Sequence, residues 1–175
     1  VTLVTKVGND VFGKVATDFY TAEGMNTDYI LIDEKKETGV ALIMVDEVSA
    51  QNEIVVIPAA CANITPEDVE KCRPLIEGAA YILLQHEINF DAQYKVIDIA
   101  HAAGVKVVLN PAPACEIPED VIGKIDIVTP NETEAQVLTG VEVKTREDAE
   151  RAAKVFFDKG VKNVVITMGA LGAFA

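Results

Sequence analysis

An α/β protein with a mostly parallel sheet is the fold class this sequence predicts, and three observations carry it. Short β-branched runs alternate with longer segments of helical period, the pattern of strands joined by crossover helices. The runs at residues 81–84, 105–109, 125–128 and 164–167 are continuous and apolar, as strands with helices on both faces require. Half of the 175 residues are hydrophobic and a quarter are charged, enough apolar material for one packed core carrying a small insertion.

Taken in order, the run at residues 2–7 closes at Gly8, and Val11, Val15, Phe19 and Ala22 then mark one face of a helix that stops at Gly24. Residues 28–57 show no helical period. Three strand-like runs lie there instead, at 29–32, 39–45 and 54–57, separated by Asp33-Glu34-Lys35-Lys36 and Ser49-Ala50-Gln51-Asn52. Strands without a crossover helix predict an antiparallel meander. Residues 28–57 therefore read as a β insertion, a lid or a dimerisation surface, on a core made of 1–27 and 58–175. Thr65-Pro66 caps and opens a helix, a second helix covers 91–103 and ends at Gly104, and a third starts at Thr145 and ends at Gly160. Val1 leads straight into a strand and Ala173-Phe174-Ala175 opens another, so the chain is expected to be a segment of a longer protein.

Charge narrows the partners. With 15 Lys plus Arg against 28 Asp plus Glu, the net charge of −13 repels nucleic acid and anionic membrane surfaces. No apolar run approaches the roughly 20 residues that span a bilayer, and no signal segment opens the chain, so a cytoplasmic location is expected. Cys61, Cys72 and Cys115 form no C-x-x-C pair, which predicts reduced thiols and neither a disulfide framework nor a zinc site.

Four segments could carry chemistry. Gly8-Asn9-Asp10-Val11-Phe12-Gly13-Lys14-Val15 fits G-x-x-x-x-G-K, but a phosphate loop needs Ser or Thr where Val15 stands, and Asp10 sets a carboxylate among its amides. A glycine-bounded turn with Asp10 capping a helix is the better reading. Thr129-Pro130-Asn131-Glu132-Thr133-Glu134 leaves the carboxyl end of a strand, where open α/β sheets bind ligands. Asn131 and Glu134 have capping-box spacing; the same pair could serve a phosphate oxygen and magnesium-bound water. Thr167-Met168-Gly169-Ala170-Leu171-Gly172 also ends a strand, with glycines spaced for a tight turn whose N–H groups converge on an anion. Glu87 follows the run at 81–84 and suits hydrogen bonding to ligand hydroxyls, whereas His86 and His101 have no partner at metal-ligand spacing.

Asn110-Pro111-Ala112-Pro113-Ala114, then residues 129–135 with Leu138-Thr139-Gly140, then Ile166-Thr167-Met168-Gly169 closely resemble the PfkB carbohydrate-kinase family, in its ribose-phosphorylating branch. Glu37-Thr38-Gly39-Val40-Ala41-Leu42-Ile43 resembles a lid strand of that family, and the likeness runs in order along the chain. The resemblance implies a doubly wound sheet with a small antiparallel β lid, the lid also clasping a homodimer. It implies ATP-dependent phosphorylation of D-ribose to ribose 5-phosphate with Mg2+ and, by the same resemblance, K+. Other PfkB substrates (deoxyribose, fructose, adenosine) and a non-catalytic, lid-mediated binding module are the alternatives. Glu87 would bind sugar hydroxyls; Asn131, Thr167, Gly169 and Gly172 would line the nucleotide; Glu134 would hold magnesium through water. The family's Gly-Gly-Lys-Gly motif would lie upstream of Val1. Its Gly-Ala-Gly-Asp motif, with the catalytic base and anion hole, would lie downstream of Ala175, so this segment alone is expected to be inactive. Within the chain, Cys61 stands where the family has glycine and Leu171 where a basic residue is frequent.

Overall fold

The computed structural model describes residues 1–175, which divide into two compact units, Val1–Thr65 and Pro66–Ala175. In the first unit, β1 (Thr5–Gly8), α1 (Val11–Ala22) and β2 (Ile30–Asp33) form a βαβ element, with β2 parallel to β1 from Thr5↔Ile30 to Gly8↔Asp33. The expected three-stranded meander is therefore wrong in its first strand. The helix before it is a crossover, and it returns the run at 29–32 to β1; a short apolar run does not reveal which neighbour it pairs with. What remains is an antiparallel hairpin, β3 (Val40–Val45) and β4 (Asn52–Ile57), in register from Val40↔Ile57 to Val45↔Asn52. A 3-10 turn, Ala59–Asn63, closes the unit.

Asp10 organises this unit. Its Oδ1 accepts from the Gly13 N–H at 2.8 Å and the Thr38 hydroxyl at 2.7 Å, and its Oδ2 accepts from the Thr38 N–H at 2.8 Å. The bond from Gly13, then those from Thr38, hold the Asp10 carboxyl below its ordinary range. One carboxylate thus caps α1 and fixes the approach to β3. The G-x-x-x-x-G pattern reflects packing: a Cβ on Gly13 would lie 2.1 Å from the Gly8 carbonyl oxygen. Lys14 pairs with the exposed Asp18 at 2.8 Å, so a phosphate loop is not what these residues build. Gly13→Ala is expected to destabilise the protein by roughly 1–3 kcal/mol, because helix and strand must separate to admit the methyl group. A urea titration checks this; an unchanged midpoint would contradict it.

The second unit opens with α2 (Pro66–Lys71) and α3 (Arg73–Glu77). It continues with β5 (Tyr81–Gln85), α4 (Phe90–Ala102), β6 (Lys106–Asn110), α5 (Glu119–Ile122) and β7 (Ile127–Val128). Then come α6 (Glu132–Thr139), α7 (Arg146–Asp158), β8 (Asn163–Val164), β9 (Ile166–Thr167) and β10 (Ala173–Phe174). The sheet runs β5-β6-β7-β8, every pair parallel. Register puts Leu84, Leu109, Val128 and Val164 on one face, and Leu109, Val128 and Val164 are buried there. Leu83, Val108, Ile127 and Asn163 share the other face, where Leu83 is exposed. Ile97, Ile125, Phe156 and Ile166 complete the core with no significant exposure. No helix is long and apolar enough to cross a membrane.

At the amino edge of the sheet, buried Asp126 accepts from Lys162 at 2.8 Å, the Val107 N–H at 3.0 Å and Lys106 at 3.2 Å. Burial raises its carboxyl pKa, but these three bonds outweigh burial and hold it below the ordinary value. That edge is pinned by structure. Ligand chemistry has to be sought at the opposite edge.

Candidate active site at the carboxyl rim of the sheet

Parallel strands deliver their carboxyl ends to one side, and every site residue singled out in this unit follows such an end. Glu87 lies two residues beyond β5, Asn131 and Glu134 lie beyond β7, and Thr167, Gly169 and Gly172 end or follow β9. The pairing persists past the sheet proper. Val165 donates to the Val128 carbonyl and Thr167 to the Pro130 carbonyl, both at 2.9 Å, and Asn131 and Thr167 form a parallel bridge. A Cβ on Gly169 would lie 3.7 Å from Glu132 Oε1, so the glycine turn adjoins the start of α6.

Asn131 and Glu134 form the capping box their spacing predicts. The Asn131 side-chain oxygen accepts from the Glu134 N–H at 2.8 Å, and Glu134 Oε2 accepts from the Asn131 N–H at 2.8 Å. Both side chains are half-buried. The box does not compete with a ligand role; it holds a carboxylate in one orientation at a helix N-terminus facing the rim.

The glycine turn is tighter than its sequence suggests. Gly169 has φ +50° and Gly172 φ +87°, conformations natural to glycine. The Leu171 and Gly172 N–H groups bond to the Met168 and Gly169 carbonyls, and Met168 donates to Gly172 at 2.8 Å. Only the Gly169 and Ala170 amides therefore remain for an anion, fewer than a converging ring of amides would offer. Thr167, Gly169, Leu171 and Gly172 are all exposed.

A cavity of about 460 Å³ runs along the carboxyl halves of β5 and β6, lined by Leu83, Leu84, Gln85, Val108, Asn110 and Thr129. Its walls are apolar, with the amides of Gln85 and Asn110 and the Thr129 hydroxyl beside them, the mixture common in small-molecule sites. Exposed Glu87 follows Gln85 at that end. Asn110, Gln85 and Thr129 are rim residues that sequence reasoning did not select, although Asn110 is the first polar residue after an apolar strand run.

His86 was also passed over, and it is 6% exposed. Burial pushes its imidazole below the ordinary value; the bond to Pro113 and the nearby Glu134 charge pull weakly the other way. The imidazole at the exit of β5 thus feels the Glu134 carboxylate beyond β7. The unfolded chain binds this proton first, so folding stability is full above about pH 6.5 and falls as pH drops through that value toward the lower folded pKa. The melting temperature should be lower at about pH 5.5 than at about pH 7.5. That difference should shrink in His86→Asn, and an unaltered difference would contradict it.

An open parallel sheet with loops gathered at its carboxyl edge defines the class: an α/β protein of the kind whose ligands, where they bind, sit at that edge. The pfkB family carbohydrate kinase model matches residues 1–175, and the chain belongs to that family. It is 43% identical over 173 residues to the bifunctional ribokinase/ribose-5-phosphate isomerase A of Fructilactobacillus sanfranciscensis, covering 99% of this chain and 32% of that protein. It is 39% identical over 174 residues to the ribokinase of Haemophilus influenzae, covering 99% of this chain and 56% of that one. Among solved structures, Arabidopsis thaliana ribokinase complexed with ribose and ATP superposes with a TM-score of 0.85 at 30% identity, over 97% of this chain and 55% of that one. The chain thus spans about half the length of the Haemophilus and Arabidopsis proteins, and about a third of the bifunctional one.

Proposed function

We propose that this chain supplies the sugar, magnesium and nucleotide contacts of an ATP-dependent ribose kinase, which transfers the γ-phosphoryl group to the primary hydroxyl of D-ribose and yields ribose 5-phosphate. The observation that carries this reading is the continuation of strand pairing beyond the sheet, which ties residue 131, two residues past Thr129 in the cavity wall, to residue 167. Glu87 accepts hydrogen bonds from ribose hydroxyls. Asn131 donates to a phosphate oxygen, and Thr167, Gly169 and Gly172 line the nucleotide.

Glu134 suits magnesium by its chemistry. No cluster of three or more His, Cys, Asp or Glu side chains could cage a metal, and magnesium is commonly held by one or two carboxylates together with phosphates and water. When bound with ATP, magnesium would supply positive charge against the phosphates, and Glu134 would hold it through water. The chain's own task is positioning. Glu134, locked in its capping box, presents one carboxylate at a fixed place, and Glu87 orients the sugar so that its primary hydroxyl faces the transferring group. No residue here is assigned as catalytic base. A K+ requirement and a cytoplasmic location belong to the same proposal.

Exposed apolar side chains on both faces of the β3–β4 hairpin favour self-association. Leu42 is 60% exposed, Ile43 62% and Val55 45%. A homodimer through this hairpin would cover an apolar ribbon that water otherwise meets on both sides. Sedimentation of a Leu42→Lys variant tests it, with a shift to monomer expected and an unchanged dimer as the contrary result.

The functional test is ADP release by the protein expressed from its full coding sequence, with ribose, deoxyribose, fructose and adenosine compared. Highest kcat/KM for ribose is expected. Preference for deoxyribose would move the assignment within the family, and no sugar-dependent release would overturn it.

A further inference from the structure

His86 is a buried imidazole that the proposed mechanism leaves without a task, and its contacts are specific. The His86 backbone N–H donates to the Ala112 carbonyl at 3.0 Å. Its ring Nδ1 lies 3.1 Å from the Pro113 carbonyl oxygen and 3.1 Å from Cys115 Sγ. A carbonyl oxygen can only accept, so Nδ1 carries the hydrogen, and the thiol sulfur shares it as a weaker second acceptor. The Phe90 ring meets the imidazole edge-on at 5.5 Å and stacks on Tyr94 at 5.8 Å. All three polar contacts come from the loop leaving β6, and the next residue along the chain is Glu87. A main-chain bond and the imidazole together thus join the exit of β5 to the exit of β6, and the imidazole alone reaches Pro113 and Cys115.

We propose that His86 is a positioning residue: by clamping the residue before Glu87 to the 112–115 loop, it fixes the carboxylate that receives the sugar. This rests on the reading of Glu87 as a sugar ligand. Burying an imidazole is unfavourable unless its N–H is satisfied, and an apolar side chain would fill the same space without that requirement. A purely structural histidine would influence stability and all ligands alike. A clamp acts on the sugar alone.

The test is calorimetric binding of ribose and, separately, of magnesium-ATP to the protein from its full coding sequence, with melting temperatures recorded. His86→Leu keeps volume and removes the donor; it should weaken ribose binding about ten-fold and magnesium-ATP binding by less than about two-fold. His86→Asn, whose amide nitrogen falls near the Nδ1 position, should recover most of the loss. His86→Gln, whose amide lies further out, should not. Equal ribose affinity in wild type and a folded His86→Leu overturns the inference, as does equal loss of both ligands. Should His86→Leu fail to fold, the Asn and Gln variants decide, and equal affinity between them overturns it. Glu87→Ala separates the two readings. Wild-type protein that binds no ribose, or a Glu87→Ala that binds it normally, overturns the sugar site and the clamp together. A damaging Glu87→Ala beside a harmless His86→Leu overturns the clamp alone.

Discussion

In the protein expressed from its full coding sequence, Glu134→Gln should lower kcat by roughly 100-fold or more while leaving the fold about as stable as before, which separates the two jobs of this side chain. Glutamine at the third helical position still accepts from the Asn131 N–H, so the capping box survives. What is lost is the negative charge that would face magnesium. The expected signature is a low kcat, a raised magnesium requirement and an unchanged melting temperature. Glu134→Ala should show the same catalytic loss plus a destabilisation of about 1 kcal/mol from the broken cap. If Glu134→Gln were fully active, the residue would be a helix cap and nothing more. Steady-state kinetics over a magnesium series provides the measurement.

Glu87→Ala should raise the KM for ribose by roughly 10- to 100-fold, with the KM for ATP little altered. Glu87 is exposed at the rim, so its removal leaves no buried orphan and no cavity, and the fold should not register the change. A carboxylate accepting from two hydroxyls makes charge-assisted bonds, each worth more than a neutral one. Glu87→Gln should fall between, keeping one acceptor oxygen. Equal losses for both substrates would place Glu87 in general folding rather than sugar recognition.

Much of this was legible beforehand, for physical reasons that differ by element. Helix ends were clear because caps are local: Thr145 with Asp148 and Asn131 with Glu134 form the boxes their three-residue spacing specifies. Buried strands were clear because continuous β-branched runs have few other uses. Strand partnership was not. Residues 29–32 read as the first strand of a meander yet lie parallel to β1, since pairing depends on where α1 returns the chain. The face of α1 formed by Val11, Val15 and Phe19 was read correctly as apolar, but those residues are 76%, 60% and 58% exposed, a matter of packing that no period reports.

The site divides in the same way. Residues that follow strand ends could be named, because parallel topology alone carries Glu87, Asn131, Glu134, Thr167, Gly169 and Gly172 to one rim. The His86 contacts with Pro113 and Cys115 span 27 and 29 residues and leave no periodic trace. The cavity beside Asn110 depends on three strands at once.

The most direct test of convergence is paramagnetic broadening of backbone amide signals in this 175-residue chain when manganese-ATP replaces magnesium-ATP. Amides at residues 131–134 and 167–172 should broaden first and those at 86–87 next, while Lys106, Asp126 and Lys162 at the amino edge of the sheet stay sharp. Broadening centred on Lys106, Asp126 and Lys162, or equal at both edges, would contradict a single binding rim.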